Sequence, residues 1–373
     1  QGDDASWMPG RWAAVGGLID PVTNLPYQPP LVGANGYQGT SPAMAGSWAR
    51  TNWALYADME WDLTDEYLVQ TAVRFEDFSS FGSTLNGKLA SRYILAEYLT
   101  LRGALSTGFR APTPGQSNLT NVATVFVPGT TEQQITGTVR PTDPIALMHG
   151  GRPLVAEKSV NVSLGFTMRA AESLRLTADV YRIAVNGRIV MATDIPVQNN
   201  PTYRIIRFYT NGLDTVTTGF DVVLLHDLDW ADTANDANLS LAYNYNDTNV
   251  VSQSSLAING RRKANIENNL PKHHLAATLT QDLGDWSFML RANLWGPHQD
   301  EDPDYRVGPE VLLDAQLTYR IDWRFRVMLG ANNILNTFPD PVPTRADNGL
   351  PWPRRSPVGY HGGMVYLRAV ARF

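Results

Sequence analysis

The sequence predicts an all-β protein, and within that class an antiparallel transmembrane β-barrel. Three observations carry the prediction. Segments of alternating apolar and polar residues recur along most of the chain, the pattern of strands whose two walls face different surroundings. The connections between them alternate short and long, the asymmetry of outer-membrane barrels between periplasmic turns and extracellular loops. Aromatic residues gather near both ends of the segments, where a barrel crosses the two interfaces of a bilayer.

Composition narrows the choice further. The 373 residues include no cysteine, 30 glycines, 24 prolines and 10% aromatics, with a net charge of −6. A disulfide framework and a thiolate metal site are thereby excluded. The acidic balance gives no nucleic-acid footprint, and no nucleic-acid partner is expected. No apolar run approaches the roughly 18 residues that a spanning helix needs. A membrane position therefore requires a closed barrel, because lipid cannot satisfy an open strand edge. The mean hydropathy of −0.23 agrees with this, since only alternate residues of a barrel strand meet lipid. The opening residues QGDDASWMPG do not form a signal peptide. Residues 1–47 read as an extracellular loop region, and residues 48–373 as barrel.

The first strand pair is 52–62 and 66–77. Trp53, Leu55, Ala57, Met59 and Trp61 fall on one wall, and Asn52, Ala54, Tyr56, Asp58 and Glu60 on the other. Asp62-Leu63-Thr64-Asp65 supplies a tight turn. Tyr67, Val69, Thr71, Val73 and Phe75 continue the apolar wall, and Gln70, Arg74 and Glu76 the polar one. Such charges are costly in a dry core and suit a wet lumen. The pattern repeats at 83–95 with 98–109, 157–169 with 174–185, 214–226 with 238–250, 272–281 with 286–295, and 310–321 with 325–332. A last strand at 361–373 carries Val365, Leu367, Ala369, Ala371 and Phe373 on its apolar wall. About thirteen strands result, with long gaps at 1–47, 110–156, 186–212, 251–271, 296–309 and 333–360. Trp61, Tyr67, Trp286, Tyr319 and Phe373 mark one interface, and Trp53, Phe75, Tyr243 and Tyr245 the other.

With the strands in place, the chain resembles the C-terminal part of a TonB-dependent outer-membrane receptor. The resemblance is carried by residues 52–93, 101–116, 211–224 and 331–341 and by the terminal Phe373. Its most specific pieces are Gly108-Phe109-Arg110-Ala111-Pro112 and Asn332-Asn333-Ile334-Leu335-Asn336. It implies residence in the outer membrane of a Gram-negative bacterium, a barrel of about 22 strands with a plugged lumen, and a short box that contacts TonB. It further implies active uptake of a scarce solute: a siderophore, a corrinoid or an oligosaccharide. No plug precedes Gln1, and some nine strands are wanting from a 22-stranded barrel, roughly. Two open edges would remain, which lipid does not tolerate. The chain is thus expected to be a fragment, a remnant or one subunit of a split receptor, completed by a plug and N-terminal strands. A passive porin or structural outer-membrane protein is the alternative.

Motifs of enzymatic chemistry are lacking. There is no G-x-S-x-G, P-loop or G-x-G-x-x-G, and neither an enzyme nor a cofactor is expected. His273 and His274 point to opposite faces of a strand and cannot jointly chelate a metal. Asp300-Glu301-Asp302-Pro303-Asp304 reads as a solvated acidic loop, and Arg261-Arg262-Lys263 as a loop face toward headgroups or solvent. Asp58 and Glu60, about 6–7 Å apart on one wall, read as polar lumen lining rather than a glycosidase pair. Ligand contacts are expected from the long loops and the upper lumen: His149, Arg152, Trp295, His298, Tyr305, Trp352, Arg354, Arg355 and His361. Rings suit flat solutes, and guanidiniums suit carboxylate or phosphate.

Overall fold

The computed structural model describes residues 34–35, 46–126, 133–198, 200, 203–229, 236–300, 305–342 and 351–372. The chain runs through β1 (Ala34–Asn35), β2 (Asn52–Asp62), β3 (Tyr67–Phe78), β4 (Gly82–Ala96), β5 (Leu99–Arg110), α1 (Pro114–Asn118), β6 (Asn121–Phe126), β7 (Gln133–Thr138) and α2 (Pro144–Met148). It continues with β8 (Glu157–Ala171), β9 (Leu174–Met191), β10 (Ile195–Pro196), β11 (Ile205–Arg207), β12 (Tyr209–Asp229), β13 (Asp236–Gln253) and α3 (Gly260–Asn268). It ends with β14 (His273–Leu283), β15 (Trp286–Trp295), β16 (His298–Gln299), β17 (Arg306–Val307), β18 (Glu310–Arg320), β19 (Phe325–Asn332) and β20 (Met364–Ala371). Phe373, residues 301–304 and nearly all of the 1–47 region lie outside the described residues.

Thirteen strands, β2–β5, β8, β9, β12–β15 and β18–β20, form one antiparallel sheet in chain order. The register sorts their side chains as the alternation predicts. Leu279, Leu290, Ala315, Ala331 and Val365 are successive cross-strand partners on β14, β15, β18, β19 and β20. The next row toward the short turns is Gln281, Phe288, Leu317, Leu329 and Leu367. Below it, Trp286 and Tyr319 pack with ring centroids 4.5 Å apart. From Trp286 to Leu294 this wall rises roughly 27 Å along the strand, or about 20 Å after barrel tilt, close to the ~25 Å apolar band of such barrels. At the opposite end Trp53 lies 5.2 Å from Phe75, and Phe220 lies 5.6 Å from both Tyr243 and Tyr245. Pairs from both predicted girdles therefore pack together.

The apolar wall stays outside. Leu55, Leu85 and Leu367 are 67%, 68% and 74% exposed. The larger buried apolar clusters among the described residues lie instead in and beneath the loops. One joins Val139, Ile145, Ala146, Ala192, Val197, Ile206, Phe208 and Ala257; the second joins Leu213, Val250 and Ile258. A soluble sandwich would show the reverse, with the strands' apolar faces packed on each other.

Three features depart from expectation. The connection between β3 and β4 is only 79–81, although it lies at the long-loop end, and Gly82 takes it at φ 91°. Strands β9, β12 and β13 run well past their predicted limits. Asn186-Gly187 has the composition of a turn, but Gly187 at φ 64° sits where the β9–β12 register shifts, and the ladder resumes to Met191↔Tyr209. The long gaps are also structured. β6 and β7 pair antiparallel, β7 and β11 pair parallel, and β1 and β10 complete a five-stranded sheet. The parallel pairing joins segments far apart in sequence, which no local pattern announces. Among the described residues no pairing joins β2 to β20, so the sheet has two edges.

Candidate functional site

The loops at this end enclose a cleft of about 360 Å³ lined by Thr193, Asp194, Arg207, Asn259, Arg261, Arg262, Asn265 and Arg354. Three separate connections supply it: the segment after β9, helix α3, and the stretch before β20. Local chemistry fixes each wall. Asn259 caps α3, its side chain accepting from Arg262 N at 3.0 Å, and so sets Arg261 and Arg262 in the helix's first turn. Thr193 is held by Ala257, which accepts from the Thr193 amide at 2.9 Å and from its hydroxyl at 2.8 Å. Arg207 forks onto Asp194, its Nη2 donating to Oδ2 at 2.9 Å. Asn265 is buried, and its side-chain oxygen finds no hydrogen-bond partner among the described residues.

A second pocket of about 420 Å³ opens beyond the C-terminal end of α3, lined by Asn268, Leu270, Lys272, His273, Pro297, His298, Gln299 and Arg306. His298 is 4% exposed. Its Nε2 donates to Arg355 O at 2.8 Å, which places the proton on that nitrogen. Burial lowers the His298 pKa below its ordinary 6.5, against the opposing pull of the Arg355 and Gly296 carbonyls and of Asp300. Arg354 N donates to Asp300 Oδ1 at 3.0 Å. These bonds fasten the loop before β20 to the loop after β15, so Arg354 and Arg355 sit on a braced backbone. Nearby, burial raises the Tyr305 pKa, reinforced by Asp340 and Asp300.

The structure brings several predicted residues together. Arg354 lines the first cleft and His298 the second. Trp295 faces the lumen and stacks on His274 at 3.6 Å. Tyr305 donates to Pro341 O, and Trp352 stacks on Phe338 at 5.4 Å. Arg355 contributes its carbonyl, and its exposed side chain lies beside Arg354 in sequence. His361 is exposed next to Gly362, whose φ is 66°. His149 caps α2 and Arg152 is exposed three residues later, both in the loop between β5 and β8. His273 and His274 do point apart, the first accepting or donating at Tyr243 Oη (2.7 Å), the second on Trp295.

Sequence reasoning missed Arg207, Arg261 and Arg262. The last two read as a loop face toward headgroups or solvent; Arg261 is exposed, but both stand on a helix and line the cleft, while Lys263 pairs with Glu267 at 4.0 Å. The signal was Asn259, three residues before Arg262, in the position of an N-cap.

The sequence model of the family described as "TonB dependent receptor-like, beta-barrel" matches residues 5–334. Among curated proteins, the ferric enterobactin receptor PirA of Pseudomonas aeruginosa is 26% identical over 182 residues, covering 48% of this chain and 23% of PirA. The crystal structure of the siderophore receptor PirA from the same species superposes with a TM-score of 0.60 at 19% identity, over 86% of this chain and 48% of that one. A mutant of the Pseudomonas aeruginosa ferric enterobactin receptor PfeA gives a TM-score of 0.62 at 16% identity, over 90% and 47%. The ferric yersiniabactin uptake receptor FyuA from Yersinia pestis gives 0.52 at 16%, over 87% and 46%. The chain spans about half the length of these solved relatives and a quarter of the curated one.

Proposed function

The chain belongs to the TonB-dependent receptors, as part of their β-barrel, and from that premise we propose that it serves an outer-membrane receptor for a ferric siderophore. The observation that carries the proposal is the convergence of Arg207, Arg261, Arg262 and Arg354 on one cleft among the long loops. Ferric chelates commonly bear net negative charge on flat donor groups, and planar guanidinium forks match such groups. Relatives named for ferric enterobactin and ferric yersiniabactin favour this class over a corrinoid or an oligosaccharide. The role is transport rather than catalysis.

In this reading the apolar belt meets outer-membrane lipid, the long loops are extracellular, and the short turns are periplasmic. The plug and remaining barrel strands come from the rest of the receptor, in the same gene product or a second chain, and TonB acts through the plug. Arg354 touches the solute in the first cleft, His298 and Trp295 bound its way toward the lumen, Tyr305, Arg355 and Trp352 brace the loop that presents Arg354, and His361 is exposed further along that loop. His149 and Arg152 belong to the facing loop.

Growth under iron limitation on single siderophores, comparing a deletion strain with its parent, tests the function. The deletion is expected to abolish growth on one siderophore and spare the others. The Arg261→Ala, Arg262→Ala double variant is expected to weaken uptake of that siderophore at least tenfold, since each charge-assisted bond contributes about 1.5–3 kcal/mol. Unchanged growth on every siderophore would refute the reading.

A further inference from the structure

Among the described residues that line the arginine cleft, Asp194 is the one carboxylate. Its partner is Arg207, which it meets in a two-pronged bond. Both side chains remain open to solvent, at 43% for Arg207 and 52% for Asp194. An ion pair this exposed gives little net stabilisation, so Asp194 is not needed to hold the loop. The loop has other fastenings: Thr193 is bonded twice to Ala257, and Ala192 N donates to Phe208 O at 2.8 Å. What the carboxylate does change is the field inside the cleft, where it occupies the fork of Arg207 and repels any anion that approaches it.

We propose that Asp194 is a built-in counter-ion that an anionic ferric chelate displaces from Arg207 on binding, and that it thereby tempers the cleft's affinity for charged chelates. The inference rests on the reading of this cleft as the ferric-chelate site and deepens it. A neutral chelate leaves the Arg207 pair in place, while a multiply charged one replaces the lost carboxylate with its own donor oxygens. The carboxylate thus moderates the affinity for a multiply charged chelate, so that the solute can leave the cleft for the lumen.

The test measures binding to the intact receptor, purified in detergent, by intrinsic tryptophan fluorescence. The probes are ferric enterobactin, a trianion, and a neutral ferric tris-hydroxamate. Asp194→Asn is expected to tighten ferric enterobactin about three- to tenfold at low salt and to leave the hydroxamate unchanged. The gain should shrink as salt rises from about 0.05 to about 0.5 M, where screening shortens to a few ångströms. Asp194→Glu, which keeps the charge, should behave as wild type. In an Arg207→Ala background, Asp194→Asn should still tighten the trianion, but by less, because no fork is released. Weaker or unchanged binding of ferric enterobactin by Asp194→Asn overturns the counter-ion, as does equal tightening of both probes, which would mark a change of shape rather than of charge. Binding of neither probe by wild type overturns the cleft reading together with the counter-ion, and so separates the two failures.

Discussion

Single residues on the lumen wall show why glycine recurs in strands that disfavour it. Gly330 on β19 lies between Gln316 on β18 and Tyr366 on β20. The Tyr366 ring crosses over it, so that its hydroxyl donates to Gln316 Oε1 at 2.9 Å, two strands away. A Cβ at Gly330 would fall inside that ring. Gly165 on β8 plays the same part between Arg102 and Asp179, which meet across it. Gly330→Val is expected to cost about 1–3 kcal/mol by forcing Tyr366 out of place. In a Tyr366→Ala background the same change should cost well under half as much, a coupling readable from urea midpoints of the four variants. The two non-glycine residues of positive φ among the described residues are Asn333 and Asn336, at 50° and 53°. Asn333 Nδ2 donates to Thr337 O and its Oδ1 accepts from Thr337 N, while Asn336 Oδ1 accepts from Gly363 N. That motif stood out in the sequence because asparagine is the residue that tolerates and ties such a turn. Tyr366 reaching Gln316 did not, since the two are fifty positions apart.

At the scale of elements, the loops are joined by a few side chains at their bases. Arg110, the last residue of β5, forks onto Glu157, the first of β8, with bonds of 3.0 and 2.6 Å. The same carboxylate accepts from Ile189 N at 2.6 Å, beyond the Gly187 bulge of β9. The Gly108–Pro112 motif thus clamps three strands where the loops leave the wall. A second joint, His298 to the Arg355 carbonyl, is pH-sensitive by design of its burial. Because the folded pKa lies below the ordinary 6.5, the joint's stability is complete above that value and is lost as pH falls through it. Hydrogen exchange of residues 296–300 and 351–356 is expected to quicken between about pH 6.5 and pH 5, and His298→Gln should flatten that response. An exchange rate independent of pH after correction for intrinsic chemistry would contradict it. The strands themselves were legible from alternation. The loop joints were not, because Glu157 and Ile189 share no local pattern.

For the whole molecule, the decisive fact is where apolar surface goes. The thirteen-stranded sheet keeps leucines such as Leu55, Leu85 and Leu367 outside, and polar groups on the inner wall, where the Gln70 amide bridges Asp58 and Lys88 at 3.2 and 2.8 Å. Leu290 lies in the middle row of the belt, and Thr318 faces the lumen beside Gln316. Leu290→Arg is expected to cost about 2–4 kcal/mol of stability in the membrane, and Thr318→Arg within about 0.5 kcal/mol. Equal effects in a liposome unfolding titration would sink the assignment of the two walls. The amino-acid sequence by itself determined the thirteen strands of the wall, their two faces, their order and the family, because alternation and turn chemistry act over a few residues and register follows from them. Only the tertiary structure decided the site. The four arginines and Asp194 come from segments between residues 194 and 354, and closing loops that long is governed by packing in the cap rather than by any local periodicity.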